Sequence, residues 1–193
     1  LHLCDRRQRQ MCIRDSNIPM EDGMKPVVVF NPNSFPGKFE VEMESPNLKE
    51  NQILVDEEGK QIPLQQVQPL ASSNGRTRLV FIADLPAMGY RTYRLVIRET
   101  AHAFPDVEST DTTAENRWFK IAFDEKTGYI SSLYKKNDGT EYFSGPAAVP
   151  AVIEDRSDTW SHAVRIFDKV KGCFSGISVK RVENGPVKCV TVS

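Results

Sequence analysis

The chain has 193 residues, of which 39% are hydrophobic and 26% charged, with a formal net charge of -1 and a pI near 6.4. That length suits one large domain or two small ones. With no basic excess to neutralise phosphates, nucleic acid is excluded as an expected partner; with no apolar run near the ~20 residues that span a bilayer, a membrane helix is excluded too.

Residues 1–16, LHLCDRRQRQMCIRDS, hold four arginines and two of the four cysteines, Cys4 and Cys12, with no apolar period of 2 or 3.6. The segment resembles translated adapter or vector sequence and is read as a non-native leader, outside the fold. The competing reading is a short basic arm that binds something. It has no apolar h-region, so no signal peptide is expected. Without it the chain is mildly acidic.

From Asn17 the body reads as all-β. Residues 25–30 form a short apolar strand, closed by the turn residues Asn31-Pro32-Asn33-Ser34 and Pro36-Gly37. Residues 38–44, KFEVEME, alternate charged and apolar side chains, the period of a half-buried strand. Residues 52–55 form the next strand, Asp56-Glu57-Glu58-Gly59 a hairpin turn, and 61–67 the return. The longest strands are expected at 76–83 and 89–97, the second rich in β-forming residues. Strands at this spacing, punctuated by Pro and Gly, describe a small β-sandwich over residues 17–98. Arg76, Arg78, Arg91, Arg94 and Arg98 read as outward solubility charges, with a cationic stripe as the competing reading.

Residues 99–116 are polar, with few groups able to pack, and read as a linker or exposed crossover; Asp106, Glu108 and Asp111 are its solvated face. A second β unit is expected over 117–193. Residues 118–124 and 129–134 form a hairpin around Glu125-Lys126-Thr127-Gly128, and Asn137–Thr140 is a further turn. Residues 151–154, 173–182 and 187–192 continue the strand pattern, with Asn184-Gly185-Pro186 as the last turn. Because 186–193 is a strand at which the sequence stops, and the leader looks foreign, the chain is expected to be a fragment and its second unit incomplete.

Cys173 and Cys189 lack CxxC spacing, which argues against a zinc knuckle or a redox motif. They read as two buried thiols, with a bridge between neighbouring strands as the competing reading. The histidines are His2, His102 and His162. With His2 in the leader and His102 in the polar stretch, His162 alone cannot build a nitrogen-ligated zinc site, so no metal site is expected in this chain.

Five segments in order, Val27–Phe35, Leu85–Leu95, Trp118–Tyr134, Glu154–His162 and Val182–Val187, resemble family 38 glycoside hydrolases, the α-mannosidases. The likeness implies that the chain covers the β-domains after the catalytic domain: a small β-sandwich, then the truncated start of a galactose-mutarotase-like β-supersandwich. It further implies a retaining α-mannosidase whose carboxylate nucleophile and acid/base, and whose zinc, lie in an N-terminal α/β domain acting in cis and missing from this chain. The fragment would then be inactive alone. Its full-length enzyme would act on α-mannosides and be cytoplasmic and bacterial by similarity.

Asp155, Asp158, Trp160 and His162 are the candidate substrate-binding residues; no catalytic residue is expected here. An aromatic face covers the C–H face of a sugar and carboxylates accept its hydroxyl hydrogens. The competing reading is a structural loop whose Trp packs on the sandwich and whose Asp residues cap turns. Asp155 and Asp158 as an acid–nucleophile pair, or a calcium site with Glu154, are disfavoured, the latter because a calcium loop needs more oxygen ligands and a Gly. The function class opposed to the enzyme fragment is a free-standing β-sandwich module that binds carbohydrate or protein.

Overall fold

The computed structural model describes residues 23–46, 49, 51–68, 76–157, 160, 162 and 165–193. The leader at 1–16 therefore lies outside the described residues. The described chain is all-β, in several antiparallel sheets. It contains no helix, and so none long and apolar enough to cross a membrane. It divides into two compact units, Leu1–Phe104 and Pro105–Ser193.

The first unit is a two-sheet sandwich. One sheet runs β1 (Lys25–Asn31), β7 (Gly89–Ile97), β3 (Gln52–Val55), β4 (Gln61–Ile62); the other runs β2 (Gly37–Pro46), β6 (Arg76–Leu85), β5 (Gln65–Val67). Period-2 sequences build it. Phe39, Val41 and Met43 lie opposite Ala83, Phe81 and Leu79 on β6 and pack on the core, while Glu40, Glu42 and Glu44 between them are exposed. The second sheet contributes Leu54, Tyr93 and Leu95 to the same cluster. Both inner faces thus interdigitate, as sandwich packing requires. Burying seven such side chains is the main stabilising term of the unit, at ~1.5–3 kcal/mol for each large one.

Two turns show how polar residues frame this core. Asp56 Oδ1 accepts the amides of Glu58 and Lys60 at 3.0 and 2.9 Å, and Gly59 sits at φ +81°, which a side chain would oppose. Asn31, only 3% exposed, donates from Nδ2 to the carbonyls of Phe35 and Pro86 at 2.9 and 2.8 Å and accepts from the amide and Nδ2 of Asn33. One buried amide side chain therefore closes both loops at that end of the sandwich.

Three expectations differ from the structure. Residues 61–67 are not one strand: Pro63, which cannot donate to a ladder, separates β4 in one sheet from β5 in the other. Residues 99–116 are not simply a linker: they carry β8 (Glu108–Ser109) and β9 (Thr113–Glu115), and His102 is bound to Gln61 through its amide and carbonyl at 2.8 and 2.9 Å. Side-chain hydrogen bonds stabilise this polar stretch where apolar alternation is missing. Residues 173–182 are also not one strand, since 174–179 lie outside any ladder between β14 (Val170–Cys173) and β15 (Lys180–Asn184).

The second unit centres on a five-stranded meander, β8, β9, β10 (Phe119–Phe123), β11 (Ile130–Lys135) and β12 (Thr140–Glu141), neighbours in that order. Two hairpin-like pairs accompany it: β13 (Ala151–Ile153) with β14, and β15 with β16 (Cys189–Val192). The β15 strand is tied to the meander by Ser109 Oγ donating to Asn184 Oδ1 at 2.9 Å and by the Arg181 amide donating to Asp111 at 3.0 Å. Among the described residues, every buried hydrophobic side chain belongs to the first unit.

Candidate functional site

The candidate residues sit on the excursion between β13 and β14. The two strands pair antiparallel from Ala151 opposite Cys173 to Ile153 opposite Val170. Just beyond, the Glu154 amide donates to the Lys169 carbonyl at 2.8 Å, closing the loop at its base. The Glu154 carboxylate reinforces that closure: it accepts from Arg156 Nε at 2.6 Å and pairs with Lys171 Nζ at 3.3 Å. Pairs this exposed on the cationic side are worth ~1 kcal/mol or less, so Glu154 positions the loop mouth more than it stabilises the unit.

Asp155 points back into its own loop. Its Oδ1 accepts the Ser157 amide at 2.8 Å and the Ser157 hydroxyl at 2.5 Å, an Asx-type turn. The Ser157 hydroxyl, then its amide, hold the Asp155 carboxyl below the usual carboxylate range. A general acid needs the opposite shift, so at neutral pH Asp155 is an ionised acceptor. Trp160 is 80% exposed, so its indole is not packed into a sandwich core. His162 is exposed on the same loop, and Asp158 lies outside the described residues. The chain thus carries Asp155, Trp160 and His162 on one closed loop, with Asp155 committed to a turn.

Two exposed apolar residues of that loop escaped the sequence reading: Ile166 at 73% and Phe167 at 47%. Their signal was present, as an apolar pair inside the polar run Arg165–Lys169. Trp160, Ile166 and Phe167 are each exposed apolar side chains between β13 and β14.

A second concavity lies in the same unit. A cavity of about 370 Å³ opens on the face of the meander carrying Phe119, Ile121 and Leu133 and is lined also by Val107, Val187 and Cys189. Cys189 is half-buried there and Cys173 is exposed on β14; both are free thiols. The expectation of two buried thiols is corrected for Cys173, whose strand is exposed along its whole length.

Among the described residues, no group of three His, Cys, Asp or Glu side chains could hold a metal ion. The zinc that the resemblance implies therefore has no fitting ligand set among them. No protein-family model matches the chain, and no curated protein matches it.

Proposed function

We propose that this chain is the β-domain portion of a retaining α-mannosidase, structural in itself, acting in cis with a catalytic α/β domain that holds the zinc and both carboxylates. The observation that carries the reading is the contrast between the units: a sandwich with its own apolar core precedes a unit in which no described apolar side chain is buried. Trp118, Tyr142, Phe174 and Val182 are more than half exposed there, as Phe30, Phe35, Met88 and Tyr90 are in the first unit, so the difference lies in the missing core. A supersandwich begun but not yet covered would have that character. The five ordered sequence segments give the unit order its family meaning.

In this reading the 154–169 loop rims the sugar pocket. Trp160 offers its face to the C–H side of an α-mannoside, and Asp155, ionised, accepts a hydroxyl through Oδ2, the oxygen that its turn with Ser157 does not use. The enzyme would be cytoplasmic. No step of glycoside cleavage runs through the residues of this chain.

The test is Trp160→Ala in an enzyme carrying these β-domains with their catalytic domain. KM for an aryl α-mannoside should rise, or kcat fall, with little change in Tm. A large loss of Tm with unchanged kinetics would overturn the sugar-rim role. A second reading, a free-standing carbohydrate-binding module, draws on the same exposed indole. It requires the isolated chain to bind mannosides with quenching of Trp160 emission, whereas the enzyme-fragment reading requires the isolated chain neither to bind them measurably nor to cleave them.

A further inference from the structure

We infer that the second unit is an acid-sensitive module: ionised carboxylates close its turns and strand ends where the first unit has an apolar core, so acidification opens the second unit while the first stays folded.

Four carboxylates do this on the five-stranded meander. Asp124 Oδ1 closes the β10–β11 turn, accepting the amides of Lys126 and Thr127 at 3.1 and 2.8 Å and the Thr127 hydroxyl at 2.8 Å. Glu141 holds β12 onto β11. One of its oxygens accepts the amides of Leu133 and Phe143 at 2.8 and 3.2 Å, and the other accepts the Ser132 hydroxyl. Asp138 closes the β11–β12 turn through Lys135 Nζ at 2.5 Å and the Thr140 amide at 3.2 Å. Glu115 on β9 pairs with Lys136 of that same turn.

The charges facing these groups are few. Around Glu115, β10 contributes Lys120 at 3.9 Å and β8 contributes Glu108 directly across the ladder. Around Glu141, β11 places Tyr134 opposite, with Lys135 one position further. Asp124 shares its turn with Glu125 and Lys126. Opposite charges and hydrogen-bond donors dominate, and each of the four carboxyls is held below its ordinary range: Asp124 and Glu141 foremost by a hydroxyl, Asp138 and Glu115 foremost by a lysine.

The sign follows from linkage. A carboxyl depressed in the fold contributes stability that is complete above its unfolded value and is lost as pH falls through its folded value. The ordinary values are 3.8 for Asp and 4.5 for Glu, so the loss begins as pH falls toward these and deepens below them. Each exposed contribution is small. They decide the outcome here because no described apolar side chain of this unit is buried. The first unit keeps Leu54, Leu79, Phe81 and Leu95 essentially out of water, a contribution that protonating carboxylates does not remove.

The experiment is stepwise acidification of the whole chain from pH 7 to pH 2.5, read by amide hydrogen exchange and by tryptophan emission. Both tryptophans, Trp118 and Trp160, lie in the second unit, so emission reports that unit alone. Protection over 108–143 should fall at least roughly tenfold as carboxylates protonate, together with a shift in emission, while β2, β6 and β7 keep theirs to lower pH. Glu141→Gln should lower protection over 130–143 already at pH 7 and shrink the remaining pH dependence there. Loss of protection in both units at the same pH, loss in the first unit first, retention of the second unit's protection at pH 2.5, or a second unit unprotected already at pH 7 would each overturn the inference.

Discussion

Phe81 of β6 and Tyr93 of β7 meet edge to face across the two sheets of the first unit, their ring centroids 5.1 Å apart. The Tyr93 hydroxyl also accepts the Asp84 amide at 3.1 Å. One side chain thus packs between the sheets and hydrogen-bonds a strand of the opposite one. Phe81→Ala should cost about 3–5 kcal/mol, the range for removing a fully buried aromatic, and Tyr93→Phe about 1 kcal/mol for the lost hydrogen bond. Urea unfolding of both variants checks this; equal losses would mean that the hydroxyl, not the ring packing, fastens the sheets.

Burial pushes the Tyr93 hydroxyl above its ordinary value of 10.0. The sign is that of a neutral group favoured in the fold: its contribution is complete below pH 10 and is lost as pH rises past it. Alkaline unfolding of the first unit should therefore start above pH 10, and Tyr93→Phe should flatten that limb of the curve, followed by far-UV circular dichroism.

Asn31 serves two loops through one amide, so Asn31→Ala should leave the Phe35 and Pro86 carbonyls short of donors and cost about 2–3 kcal/mol. Asn31→Asp should cost at least as much at pH 7, since it replaces the donor with a buried charge facing two carbonyls. A less destabilised Asp variant, measured by thermal unfolding, would contradict this assignment.

Gly59 and Gly128 both lie at positive φ, +81° and +74°, but their surroundings differ. A Cβ on Gly59 meets nothing within 4 Å, whereas one on Gly128 falls 2.5 Å from Ser193 Cβ. Gly59→Ala should cost only the backbone strain, ~1 kcal/mol. Gly128→Ala should cost more and loosen the contact of the 127–129 turn with Gly176, whose amide donates to the Thr127 carbonyl at 2.7 Å. Hydrogen exchange at the Gly176 amide separates the two effects.

Much of the fold was legible where burial alternates. β3 and β7 run over the residues that period and propensity assign, and the 38–44 pattern sits inside β2. The pattern could not reveal that the chain changes sheets at Pro63, because Ile62 and Leu64 pack on the same core from either side of the break. It also missed β8 and β9, whose register depends on Thr110, Thr113 and Asn116 side chains bonding to nearby groups, chemistry that reads as a loop. At the candidate site, turn capping by the loop's Asp residues was the competing reading, and Asp155 caps such a turn through Ser157. The openness of Trp160, Ile166 and Phe167 was not legible, since an apolar residue in a short loop reads equally as core.

The central claim, that these β units belong to an α-mannosidase, is tested most directly by reading the encoding DNA on the 5′ side of the Asn17 codon in its source. The account predicts that the frame continues upstream into an α/β domain with a His-x-Asp pair and further Asp and His zinc ligands. A start codon at that point, with no such domain ahead of it, would contradict the account and leave a free-standing β-sandwich module in its place.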